Sequence, residues 1–130
     1  INPGNFHKDH EKAREQFARL VSVCKEHGTA IRIGLNHGSL GDRITNLYGN
    51  SPLAMKEAVM EWLESCADIV SHFHIHNNDT SRDAHGQLMD GTIPMKELLA
   101  IIAEKCPNAT LTLELMNAEP SVRWLLEEQL

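Results

Sequence analysis

Four apolar segments of this chain end in side chains able to hold an anion, a metal or a proton. INPGNF at Ile1 to Phe6 brings Asn2 and Asn5, and IRIGLNHGSL at Ile31 to Leu40 brings Arg32, Asn36 and His37. HFHIHNND at His72 to Asp79 brings His72, His74 and His76, and TLTLEL at Thr110 to Leu115 brings Glu114. Imidazole and carboxylate together suit Zn, Mn or Mg. The histidine run also has a plainer reading, as the polar face of a half-buried strand. Asn36, His37, Gly38 and Ser39 read either as an anion nest at a helix start or as an ordinary turn with an N-cap. Arg32, inside a strand, either pairs with a buried acid or reaches a ligand. Glu114 is the least ordinary of these residues, because a buried carboxylate without a partner is costly and some cation or donor should face it.

Polar groups at strand ends need parallel strands to carry them to one rim, and the hydrophobic pattern supplies such elements. A first helix is predicted from Asp9 to His27, with Ala13, Phe17, Leu20, Val21 and Cys24 on one face and Gly28 as its C-terminal cap. A strand from Ala30 to Asn36 alternates Ile31, Ile33 and Leu35 against Ala30, Arg32 and Gly34. A short helix at Asp42 to Tyr48 follows. Ser51 and Pro52 then serve as N-cap and first residue of a long helix whose buried stripe is Met55, Ala58, Val59, Trp62, Leu63 and Cys66. Beyond it come a strand at Ile69 to His76, a loop at Asn77 to Gly91, a helix at Pro94 to Lys105 and a strand at Ala109 to Leu115. Ser121 is predicted to cap a final helix ending at Leu130. The order βαβαβαβα favours an α/β fold of four βα units with parallel strands, half of an eight-stranded (βα)8 barrel.

Length agrees with that count: 130 residues is roughly half of the ~250 typical of a closed barrel. With 42% hydrophobic and 23% charged residues and no apolar run long enough to span a membrane, the composition is that of a soluble globular protein. The absence of a linker or low-complexity tract predicts one domain, and the reduced cysteines a cytoplasmic location. A net charge of −6 without clustered Lys or Arg argues against a nucleic-acid partner. Cys24, Cys66 and Cys106 are too widely spaced for a CxxC motif and read as reduced thiols. The chain does not begin with Met, which points to a trimmed or processed N-terminus.

INPGNF, RIGLNHGSL and LYGNSPLAMKEAV resemble the middle of hydroxymethylbutenyl diphosphate synthase, the iron-sulfur enzyme family of non-mevalonate isoprenoid biosynthesis, over residues 1 to 63. The resemblance implies consecutive barrel strands whose polar ends face a diphosphate, with Asn2, Asn5, Arg32, Asn36 and His37 at that mouth. HFHIHNND, RDAH, DGTIPMKELL and ATLTLE resemble instead the last βα units of xylose-isomerase-like and endonuclease IV barrels, over residues 66 to 130. There His74, Asp83, His85 and Glu114 match metal-ligand or near-ligand positions, and the cofactor implied is a divalent metal, Zn, Mn or Mg.

Neither resemblance supplies a whole site. The three cysteines stand in the wrong contexts for an iron-sulfur cluster, so none is expected. The leading expectation is a recombined or engineered half-barrel scaffold, changing family near Glu64 and Ser65, that self-associates and has no intact enzyme activity. Two alternatives stand beside it. One is a metal-dependent sugar isomerase, epimerase or phosphodiesterase site, and the other is a truncated isoprenoid diphosphate synthase that still binds a phosphate-bearing small molecule.

Overall fold

Helix signals in the sequence are met almost residue for residue, whereas the strands are shorter than their apolar patterns. The computed structural model describes residues 1–2, 6–7, 9–35, 40–79, 82 and 84–130. They form two compact units, Ile1–Glu61 and Trp62–Leu130.

In the first unit, α1 (His10–Glu26) begins where Asp9 accepts a hydrogen bond from the Lys12 amide at 3.1 Å. That bond satisfies one orphan donor of the first turn and holds the Asp9 carboxyl below its ordinary range. At the other end the Thr29 amide donates to the Cys24 carbonyl at 2.8 Å and the Gly28 amide to Lys25 at 3.3 Å. This is the Schellman pattern, and Gly28 sits at the left-handed position it demands, with φ +61°. Ala13 and Phe17, one turn apart, are the buried pair of the predicted stripe, while Leu20, Val21 and Cys24 are half-buried. Phe6 meets Phe17 edge-on with ring centroids 6.3 Å apart.

Residues 30–35 are not a regular strand, yet they keep strand chemistry. Ile31, Ile33 and Leu35 are half-buried and alternate with exposed Arg32 and Gly34. The Ile1 amino group donates to the Arg32 carbonyl at 2.7 Å, and the Gly34 amide donates to the Ile1 carbonyl at 2.8 Å. Those are the two bonds one residue makes in a parallel ladder. Among the described residues the predicted strand is thus represented by the pairing with Ile1.

The short helix α2 (Asp42–Tyr48) and the long helix α3 (Pro52–Cys66) are joined through Ser51. Its hydroxyl donates to the Tyr48 carbonyl at 2.8 Å and accepts from the Ala54 amide at 3.2 Å, closing one helix and capping the next. Leu40, Ile44, Ala54, Met55 and Ala58 form the core here, with Leu35 and Tyr48 packed against it. Glu61 takes both Arg43 and His10 as partners.

The second unit is a parallel βαβ arrangement. A 3₁₀ turn at Ala67–Ile69 uses the start of the predicted strand, so β1 is His72–Ile75. β1 pairs in parallel with β2 (Thr110–Leu113), in the register His72↔Thr110 to Ile75↔Leu113, and α4 (Met95–Lys105) connects them. Ile75, Leu88, Met95 and Leu99 are the buried core, with Phe73, Leu113, Trp124 and Leu125 packed on it.

The last helix, α5 (Glu119–Glu128), corrects one expectation. It starts two residues before Ser121, which is therefore no cap. The Ser121 hydroxyl, fully buried, instead donates to Gln87 Oε1 at 2.6 Å and accepts from the Leu88 amide at 3.0 Å. A hydroxyl that looks like a capping group in sequence serves here as the anchor of a long loop. Two regular strands are present among the described residues, together forming an α/β chain with a parallel sheet. No helix among the described residues is long and apolar enough to cross a membrane.

Candidate functional site

The carboxyl ends of β1 and β2 bring His76 and Glu114 together with His85. β1 exposes His72 and His74 and turns Phe73 and Ile75 inward, as period-two alternation requires. His72 is engaged across the sheet, its Nδ1 at 2.5 Å from the Thr110 hydroxyl and its Nε2 at 3.0 Å from that of Thr112. His74 meets the His72 ring edge-on and lies 3.9 Å from the Glu114 carboxylate.

Past Ile75 the chain leaves the strand and His76 escapes the alternation. Its ring stacks on His85, with centroids 4.0 Å apart and an interplanar angle of 13°. His85 Nδ1 lies 2.9 Å from the Glu114 carbonyl. A neutral imidazole makes that contact only by donating Nδ1–H, which puts the lone pair on Nε2. His76, His85 and Glu114 each offer a ligand atom within 4.8 Å of the others, all three half-buried.

Asn77 holds this arrangement in place. Buried to 1% exposure, it donates from Nδ2 to the carbonyls of Leu88 at 2.7 Å and Ile93 at 3.1 Å. Its Oδ1 accepts from the amides of Asn78 at 2.9 Å and Ile93 at 3.1 Å. Its backbone exchanges two further bonds with Gly86, adjacent to His85. These bonds fix His85 in a left-handed conformation, φ 45°, that a non-glycine residue adopts only when its surroundings impose it. Gly91 is packed so tightly against Asn77 that a Cβ there would overlap the amide oxygen and come within 2.5 Å of the Asn78 carbonyl.

Of the sequence-derived metal residues, the fold brings His85 and Glu114 together and leaves His74 at the edge, while Asp83 lies outside the described residues. His76 is the member that sequence reasoning placed in the histidine run without making it a ligand. In the structure it stands one residue beyond β1, as Glu114 stands one residue beyond β2, a strand end that the sequence pattern did not reveal. In the first unit Asn2 is half-buried and Arg32 exposed, on the two segments that Ile1 joins. Asn5, Asn36 and His37 lie outside the described residues.

The cysteines show no site for a cluster. Burial pushes the Cys66 thiol up to about 11, with Cys106 and Asp68 adding to the shift, and burial also raises Cys106. Cys66 donates to the Trp62 carbonyl at 3.0 Å, the habit of a packed structural thiol.

A parallel sheet with a helical crossover defines an α/β chain. The family model described as the GcpE TIM-barrel domain matches residues 1–85, and the chain belongs to that family. It is 44% identical to the 4-hydroxy-3-methylbut-2-en-1-yl diphosphate synthase (flavodoxin) of Parabacteroides distasonis, over 52% of this chain and 14% of the relative. To the enzyme of the same name in Bacteroides fragilis it is 42% identical, with the same shares. To the chloroplastic, ferredoxin-named form of Oryza sativa subsp. japonica it is 38% identical, over 55% of this chain and 12% of the relative. The alignments therefore span about one seventh of the length of these relatives. No solved structure matches the chain.

These relatives overturn the expectation that no iron-sulfur cluster is involved. They are named for flavodoxin or ferredoxin, carriers of single electrons, and theirs is an iron-sulfur family. The expectation rested on the three cysteines of this chain alone, whereas the alignments span about one seventh of each relative and cluster ligands are a property of the whole protein. The cysteines described here do not fit a cluster, so none of the chemistry below passes through one.

Proposed function

We propose that this chain is part of the barrel of a 4-hydroxy-3-methylbut-2-en-1-yl diphosphate synthase and that its first unit holds a diphosphate. The observation that carries this reading is the family match over residues 1–85, which contains Asn2, Asn5, Arg32, Asn36 and His37. The geometry adds to it: the Ile1 pairing sets Asn2 and Arg32 on adjacent parallel segments. A guanidinium among amide side chains is a donor set suited to phosphate oxygens, in which the charge supplies affinity and the neutral donors fix orientation. The matched family favours this reading over a recombined scaffold. The likeness of residues 66 to 130 to xylose-isomerase-like barrels rests on their motifs alone.

Calorimetric titration with inorganic pyrophosphate is the test. Binding that weakens with added salt, and by about tenfold or more in Arg32→Met, supports the proposal. No binding at millimolar pyrophosphate, or identical affinity in Arg32→Met, removes it. Self-association belongs instead to the reading of the chain as a recombined half barrel, four βα units whose open sheet edges a second copy covers. A monomer in sedimentation at micromolar concentration contradicts that reading.

A further inference from the structure

We infer that His76, His85 and Glu114 form a binding site for one divalent transition-metal ion of the Zn or Co type. Three features of the second unit carry this. The donor set is two imidazoles and a carboxylate, which suits borderline ions such as Zn and Co better than Mg, an ion that prefers oxygen ligands and bound water. Two of the three residues stand one position beyond the ends of paired parallel strands, at Ile75 and Leu113, so the sheet itself fixes their spacing. The third, His85, is held by a chain of contacts independent of its own ring: the Asn77 bonds, the Gly86 bridge and the left-handed backbone.

The hydrogen bond from His85 Nδ1 to the Glu114 carbonyl does what such bonds do around metal-binding histidines. It selects the tautomer and aims Nε2. The ligand atoms, within 4.8 Å of one another, are somewhat wider than the roughly 3.4 Å that tetrahedral ligands at ~2.1 Å from a metal require. Closure needs shifts of about an ångström and a tilt of the stacked rings, within the reach of half-buried side chains. Three protein ligands leave a further position for water or for an anionic oxygen, the arrangement of open sites rather than purely structural ones. His74, 3.9 Å from the Glu114 carboxylate, lies beside this centre and outside the set. The site is separate from the diphosphate reading, which rests on the first unit.

Titration of the 130-residue chain with Co(II) tests the inference through the visible d–d band of the bound ion and, in parallel, the thermal midpoint with and without Zn(II). The expected result is saturation at one equivalent and a raised midpoint. His76→Ala and Glu114→Gln should each weaken binding by about tenfold or more, and His72→Ala, whose ring is engaged by threonines, by less than about twofold. Glu114→Gln keeps the size of the side chain and its backbone carbonyl. Loss of the band in that variant with an unchanged circular dichroism spectrum therefore reports the ligand and not the fold. No band at one equivalent, binding retained in both Glu114→Gln and His76→Ala, or equal loss in His72→Ala and His76→Ala would each overturn the site.

Discussion

Residues 1–61 and residues 62–130 are informative in opposite ways. The first unit lies wholly within the family match, yet its strand chemistry among the described residues reduces to the two bonds around Ile1. The second extends 45 residues beyond that match, from 86 to 130, yet holds the paired strands, the buried polar hub at Asn77 and the convergent His76, His85 and Glu114. Sequence identity marks descent and convergent side chains mark chemistry; here His76 and His85 fall inside the match and Glu114 beyond it. The physical contrast follows from how each unit is held. Helix ends, local in sequence, organise the first; a buried side chain bonded across sixteen residues organises the second.

The largest effect expected on this contrast comes from Asn77→Leu. It strands the Leu88 and Ile93 carbonyls and the Ile93 amide in a buried setting, at about 3–4 kcal/mol in total. Hydrogen exchange should show protection lost in residues 62–130 and kept in α1. Equal loss in both units would break the distinction drawn here. Next is Gly91→Ala, whose added Cβ meets the Asn77 and Asn78 oxygens, for an expected loss of about 2 kcal/mol by urea denaturation. A neutral result would mean that the 77–93 loop is loosely held and that His85 is not fixed by it.

In the first unit Gly28→Ala should cost about 1 kcal/mol, because φ +61° is unfavourable for alanine in the Schellman turn. The loss should appear as fraying of the α1 C-terminus, and an Asn there should recover part of it. The smallest effect concerns Asp9, whose carboxyl is lowered from its ordinary 3.8 chiefly by the Lys12 amide bond. A lowered folded value means that its contribution is complete above pH 3.8 and disappears as pH falls through the lower folded value. Helical ellipticity should decline in that window, and Asp9→Asn, which caps without titrating, should flatten the decline.

What the sequence made legible was mostly local. Asp9, Gly28, Ser51 and Pro52 mark helix ends because their reasons lie within a few residues, and the structure places α1, α2 and α3 between them. Ser121 misled for the same reason: a serine near a helix start suits a cap, and its real partners, Gln87 and Leu88, are more than thirty residues away in sequence. The His72 to Ile75 alternation was readable, but the departure of His76 from it was not, because where a strand ends depends on its partner. Asn77 carried no signal at all. Nothing in a loop asparagine announces that it will be 1% exposed and bonded to Leu88 and Ile93. The diphosphate residues came from resemblance, and Asn5, Asn36 and His37 fall outside the described residues.

The central claim, that the family-matching unit is the one that meets the diphosphate, is tested most directly by a two-dimensional NMR titration of the chain with inorganic pyrophosphate. The account predicts saturable shifts at the amides of Asn2, Arg32 and Gly34 and at the Arg32 side chain, with the resonances of His76 and His85 unmoved. Shifts confined to His76, His85 and their neighbours, with residues 1–35 silent, would contradict it.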